Sequence, residues 1–173
     1  MNKIEFGWLD EKVIIRVVGK GSFLNSRHFK EGLVELLKEG YRNITVDFKD
    51  CVGMDSTFIG VLTGLTLKMI KSYKTTVSLA NLGKTNMELL DTLGVIRFFH
   101  TIEQPCTFDT RFESVEDIPE DPDEAINQIR HILEAHETLM KADQKNVERF
   151  KLVKEQLEKD LSSKLQDKDK SKS

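Results

Sequence analysis

Very little in this chain could act as a staple or an anchor. Only two of its 173 residues are cysteine, Cys51 and Cys106. They stand far apart without CxxC spacing, which argues against a secreted, disulfide-stapled domain. Met1 to Trp8 has no apolar h-region and no cleavage-site pattern, so no signal peptide is visible. Long hydrophobic runs are missing too. The richest stretch, Phe58 to Ile70, contains Thr63, Thr66 and Lys68 and is too short and polar to span a bilayer. The expected address is cytoplasmic, with no membrane contact. Neither sign of charge dominates: 26 basic against 29 acidic residues give a net charge of −3. That balance gives no electrostatic reason to expect a nucleic acid partner.

What is present is unevenly spread. All ten glycines lie between Gly7 and Gly94, and nine of the ten phenylalanines precede residue 113. Charged residues make up 24 of the 55 positions from Pro119 to Ser173. A globular domain therefore comes first and a solvated, charge-rich extension follows. The length suits one domain with an appendage, and is enough to bury a core unaided. The boundaries read as a domain over 1–112, a linker over 113–122, a helical extension over 123–165 and a disordered tail over 166–173.

Within the first part, strand and helix signals alternate. Ile4, Phe6 and Trp8 alternate with polar or small residues, as in a half-buried strand. Val13 to Val18 is β-branched and nearly continuous, as in a strand covered on both faces. Asn25 or Ser26 could cap a helix that runs to Lys38 and stops at Gly40. Ile44 to Phe48 reads as a strand, Lys49 to Met54 as a loop, and Ser56 to Ile70 as a helix apolar over most of its circumference. Thr76 to Ala80 is the next strand. Thr85 and Glu88 have the spacing of a capping box, and Phe98 to Ile102 reads as a last short strand. Strand Ile44–Phe48, the following helix and strand Thr76–Ala80 make a crossover unit, which is expected to be parallel and right-handed. The predicted class is α/β, a mixed β-sheet flanked by helices, with a C-terminal helical extension.

In the extension, Pro119 and Pro122 among acidic residues favour a helix start. Ile126, Ile129, Leu133, Met140, Val147, Phe150, Leu157 and Leu161 follow at three-four spacing, with His136, Asp143 and Lys154 on the seam. A docked helix, an imperfect coiled coil and a single exposed helix all fit. Leu165 to Ser173 reads as a polar, frayed tail.

Most signals of chemistry dissolve on inspection. Gly83-Lys84-Thr85 ends like a P-loop, but Ser78 stands where the first glycine belongs. His131 and His136 would point about 140° apart on a helix, at roughly 100° per residue, which speaks against a zinc site. Ser56 could be a nucleophile, but its flanks do not make G-x-S-x-G and no histidine is placed in sequence to argue for a triad.

One constellation remains. Met54-Asp55-Ser56-Thr57 follows the strand Ile44-Thr45-Val46-Asp47-Phe48 and opens the apolar helix with Ile59-Gly60-Val61-Leu62; Leu93-Gly94-Val95 comes later. From about residue 4 to 102 this resembles the STAS domain family of bacterial anti-sigma factor antagonists. The resemblance implies that Ser56 is a phosphorylation site, with Asp55 and Thr57 beside it. It implies an anti-sigma factor serine kinase as partner, a PP2C-type phosphatase as the reversing enzyme, no cofactor, no metal and no enzymatic activity in this chain. Gly19, Lys20, Gly21 and Ser22 correspond to a loop that joins the partner surface; the family commonly has an acid there, and often a glycine at Phe58.

Elementary physics agrees. First-turn N–H groups of a helix have no intrahelical partner and, with the helix dipole, favour an anion by roughly 0.3–2 kcal/mol. A phosphate on Ser56 adds about −1.5 to −2 charges and could be accommodated without unfolding the domain. Asp55-Ser56-Thr57 also reads as ordinary helix capping. Two other readings stand beside the switch: a STAS scaffold subunit of a larger stress-signalling or lipid-transport complex, self-associating through the C-terminal helix, and a serine hydrolase using Ser56.

Overall fold

The computed structural model describes residues 1–114 and 122–172. Its first strands, β1 (Lys3–Leu9) and β2 (Lys12–Gly21), form an antiparallel hairpin turned at Asp10, where φ is 54°. Helix α1 (Ser26–Lys38) leads to β3 (Asn43–Asp47), β4 (Cys51–Met54) and helix α2 (Ser56–Tyr73). Strand β5 (Ser78–Ala80), helix α3 (Lys84–Thr92), a 3-10 turn (Ile96–Phe98), β6 (His100–Thr101) and β7 (Phe112–Ser114) complete the domain. Among the described residues the sheet has seven strands in the order β6-β5-β3-β2-β1-β7, with β4 pairing the end of β2. The crossover β3–α2–β5 is parallel, as predicted.

β2 is the central strand because its sequence tolerates no water on either side. Val13, Ile14, Ile15 and Val17 are wholly buried. Val13, Ile15 and Val17 join the main core with Phe29 and Leu33 of α1 and Phe58, Ile59 and Leu62 of α2. Gly32 lets α1 close on the sheet, since a Cβ there would meet the Phe6 ring. The opposite face of β2 carries the polar Arg16 as well as Ile14. Arg16 Nε reaches Asp47 Oδ2 at 2.9 Å, and Asn81 Nδ2 reaches Asp47 Oδ1 at 2.7 Å. Asn81 also exchanges hydrogen bonds with the Cys106 backbone, which pins the return segment that brings Phe112 under the Arg16 guanidinium.

Local expectations needed revision in several places. Lys49 to Met54 is not all loop: Cys51–Met54 pairs in parallel with Gly19–Gly21. Four residues with a glycine among them are too short and too weak a pattern to read as a strand. The capping box is not formed. α3 starts at Lys84 behind Gly83, which puts Thr85 inside the first turn rather than at its cap. Asn25 stands at the N-cap of α1 but spends its Oδ1 on Ser22 N and its Nδ2 on Lys20 O, closing the preceding loop. Only His100 and Thr101 of the last predicted strand are strand, and β7 was not anticipated.

The extension is two helices, α4 (Glu124–Ala142) and α5 (Lys145–Ser171), broken at Asp143, whose carboxylate accepts from Lys145 N at 3.0 Å. α4 docks on α2, and α5 runs back along α4, tied by Lys154–Glu137 at 3.1 Å and Lys168–Asp123 at 2.6 Å. The segment expected to be a disordered tail from residue 166 is helical to Ser171. Its alternating acids and bases keep it solvated but do not break the helix. Within the linker expected at 113–122, Glu113 and Ser114 belong to β7. The remainder as far as residue 121, with Pro119 and the helix start expected there, lies outside the described residues. Among the described residues no helix is long and apolar enough to cross a membrane.

Candidate partner-binding site

The D-S-T step sits at the mouth of α2, beside the end of β2. β4 pairs with Gly19–Gly21, and Asp55 N donates to Gly21 O at 2.9 Å. This places the loop after β2 directly against the start of α2. Asp55 serves both. Its Oδ1 accepts from Phe58 N at 2.9 Å as the N-cap of α2, and its Oδ2 accepts from Phe23 N at 2.9 Å. One carboxylate thus bolts the Ser22–Leu24 loop to the helix that carries Ser56. Gly19, at φ 74°, makes the bend that lets the two segments meet.

The seven predicted site residues divide by exposure. Lys20 is exposed, and Gly19, Asp55 and Ser56 are half-buried. Gly21, Ser22 and Thr57 are buried, so they pack under the surface rather than form it. Thr57 turns inward because one helical step, about 100°, separates it from Ser56. Phe58 also points inward, wholly buried, its ring centroid 5.1 Å from that of Phe29. Its ring lies where a Cβ of Gly21 would stand. The bulky residue at this position therefore alters the core beneath the loop and leaves the outer face alone.

Sequence reasoning missed the apolar rim. Phe23, Leu24 and Val52 are 40%, 66% and 82% exposed, on the loop after β2 and on its partner strand β4. Cys51, next to Val52, has a half-buried thiol that points to Gly53 O at 3.3 Å. Burial pushes its pKa up, which keeps it protonated and poorly reactive.

Sequence reasoning also missed the histidines. Ser56 Oγ lies 3.0 Å from His136 Nε2, although 80 positions separate them. His136 Nδ1 lies 2.8 Å from Ile132 O. A carbonyl only accepts, so Nδ1 carries a proton; in the neutral ring Nε2 then accepts from the Ser56 hydroxyl. The ring is 4% exposed and packs T-shaped with Phe150 at a centroid distance of 4.9 Å. Five residues earlier on α4, His131 Nε2 lies 2.8 Å from Ser26 Oγ, at the start of α1. Burial holds the His131 pKa below its ordinary value, helped by the positive charges of Lys30 and Arg27 and opposed by Glu134 and Glu31. The two histidines that sequence spacing separates thus reach two different serines, each at a helix start.

The contact is made by small residues. Gly60 faces the Ala135 carbonyl so closely that a Cβ would collide with it, and Gly64 faces Thr138. The far end is pinned at the Leu93-Gly94-Val95 segment. Asn146, wholly buried, donates from Nδ2 to Leu93 O at 2.9 Å and to Leu139 O at 2.8 Å, and Arg97 donates to Ala142 O at 2.6 Å. Among the described residues no group of three or more His, Cys, Asp or Glu side chains is gathered to hold a metal.

A parallel-cored sheet with a D-S-T turn braced against the end of its second strand defines a STAS architecture. Residues 7–114 match the STAS domain, and the chain belongs to that family. No curated protein matches it. Among solved structures it is similar to TM1081 of Thermotoga maritima, to which an anti-sigma factor antagonist role is ascribed. That likeness has 22% identity over 57% of this chain and 85% of the other, with a TM-score of 0.52. An NMR structure of TM1081 gives 20% identity, 57% and 79% coverage, and a TM-score of 0.53. The anti-sigma factor antagonist SpoIIAA in its unphosphorylated form is 18% identical over 75% of this chain and 98% of its own, with a TM-score of 0.45. At these identities the likeness is one of fold.

Proposed function

We propose that this chain is a phosphorylation-switched anti-sigma factor antagonist: a cytoplasmic, non-enzymatic binding module that holds a kinase-type anti-sigma factor when Ser56 is unmodified and releases it when Ser56 carries a phosphate. Transcription is then regulated without DNA contact. The observation that carries this reading is the position of the Ser56 hydroxyl. It stands at the first residue of α2, next to the Asp55 cap that also holds the backbone of the exposed Phe23. In the modification, an Oγ–P bond forms, the bond from the γ-phosphorus to the β–γ bridging oxygen of the kinase's ATP breaks, and the hydroxyl proton passes to the kinase's base. A PP2C-type phosphatase reverses the step by hydrolysis. In a closed interface, a cost of about 2.7 kcal/mol lowers affinity a hundredfold. A desolvated, unpaired phosphate reaches that scale.

The test has two arms. Phosphopeptide mapping of protein from its native cells is expected to find phosphate on Ser56. A pull-down is expected to retain a serine kinase with native protein and Ser56→Ala and to lose it with Ser56→Asp; equal retention by all three defeats the switch.

Two observations favour other readings. Leu152 and Val153 on α5 are 77% and 41% exposed, which supports a scaffold subunit that self-associates through this helix. A stable multimer in dilute solution, lost with Leu152→Glu, would support it. The Ser56–His136 pair supports a serine hydrolase. Against that, His136 Nδ1 is held by a main-chain carbonyl rather than a carboxylate. Labelling of Ser56 by a fluorophosphonate probe decides the matter.

A further inference from the structure

We propose that the α4–α5 hairpin is a lid over the switch serine, so that a phosphate on Ser56 and the docked hairpin exclude each other. This rests on the reading of Ser56 as the phosphoacceptor. With the ring neutral, the unmodified hydroxyl gives its hydrogen to His136 Nε2 at 3.0 Å. A phosphoryl group replaces that hydrogen with phosphorus and three terminal oxygens that share about −1.5 to −2 charges, in a gap that holds one hydrogen bond. The ring has little room within the docked hairpin: it is 4% exposed, Nδ1 lies on Ile132 O, and it packs T-shaped with Phe150. The strain is relieved by moving α4.

The lid is built to fit and built to open. Gly60 and Gly64 let the backbone of α4 approach α2 directly, so the seam is a shaped contact. Few of the hairpin's residues are buried. Ile126, Ala135, His136 and Leu139 are the buried residues of α4, and Asn146 and Phe150 those of α5. A cavity of about 230 Å³ persists between α1, α2 and α4, lined in part by Lys30, Lys68 and Thr138. Lys30 crosses its margin to Glu134 at 2.9 Å, an exposed ion pair that is readily exchanged for water. A kinase must reach Oγ from outside, so the lid also gates the modification itself.

The experiment uses the full chain with phosphoserine incorporated at position 56 during translation, compared with unmodified protein by hydrogen exchange. Amides of Glu124–Ala142 and of the first half of α5 are expected to exchange at least tenfold faster in the phosphoprotein. Those of Val13–Val17 and Ile44–Asp47 are expected not to change. Equal protection of the hairpin in both forms, as when a protonated His136 holds the phosphate in place, overturns the lid; so does loss of protection across the whole sheet.

A second measurement avoids the phosphate. In a Cys51→Ser, Cys106→Ser background, Ser56→Cys is expected to react slowly with iodoacetamide, and at least tenfold faster once Asn146→Ala loosens the hairpin. A rate equal to that of a free thiol in both proteins overturns the proposal. Neither measurement needs the kinase, so the pull-down can fail while the lid stands, and the lid can fail while the pull-down succeeds.

Discussion

Helices α2 and α5 solve the same problem in opposite ways. α2 buries ten of its 18 residues, whereas α5 buries two of its 27, Asn146 and Phe150. α2 has no charged residue before Lys68 and is positioned by the sheet below and by α4 above. α5 is charged throughout and is held by ion pairs, one amide side chain and one aromatic ring. The difference teaches where free energy resides. α2 is built into the core beside the sheet, whereas of α5 only Phe150 joins that core.

The sharpest way to break this contrast is to truncate a side chain on each helix. Leu62→Ala, at a wholly buried position, is expected to cost about 2–5 kcal/mol. Leu152→Ala is expected to stay within about 0.5 kcal/mol. Urea denaturation measures both. A comparable loss in the two would erase the distinction.

The seam between the regions comes next. Gly60→Ala sets a methyl against the Ala135 carbonyl, and the docked hairpin is expected to lose about 1–3 kcal/mol. Gly53→Ala, where nothing lies within 4 Å, is the control. Exchange protection of α4 amides is the readout, and unchanged protection in Gly60→Ala would mean that the close approach is unimportant.

Smaller is the cap. Asp55→Ala removes a hydrogen bond to Phe58 N and another to Phe23 N, with an expected loss of about 0.5–2 kcal/mol. Asp55→Asn is expected to recover most of it in thermal melts.

The smallest effect is the dependence on pH. His131 is held below its ordinary pKa, about 6.5 in an unfolded chain. Between the two values the unfolded chain binds more protons, so stability falls as pH drops from about 6.5 toward the lower native value. Charging His131 also sets a cation beside Lys30 and Arg27, with Glu134 and Glu31 as partial compensation. His131→Gln is expected to flatten the stability difference between about pH 7.5 and about pH 5; an unchanged slope would assign it to other groups.

Much of this arrangement could be read in advance. The unbroken β-branched run of β2, the parallel crossover and the D-S-T turn each follow from a local pattern with one physical meaning. The inward turn of Phe58 could not be foreseen, because it depends on the missing Cβ of Gly21, 37 positions earlier. Nor could β4 and β7, which are short and exist only through pairing with strands laid down elsewhere. The deepest gap concerns His136. Its place on an imperfect heptad seam looked like a defect in a coiled coil, when the seam was facing a serine in the domain. Pairings over such separations are set by tertiary packing, and one sequence carries no local trace of them.

The double engagement of Asp55 makes the loop after β2 and the first turn of α2 a single mechanical piece. Anything that shifts one drags the other with it. A displacement of the helix start, whatever its origin, would therefore be felt at Phe23 and Leu24 as well.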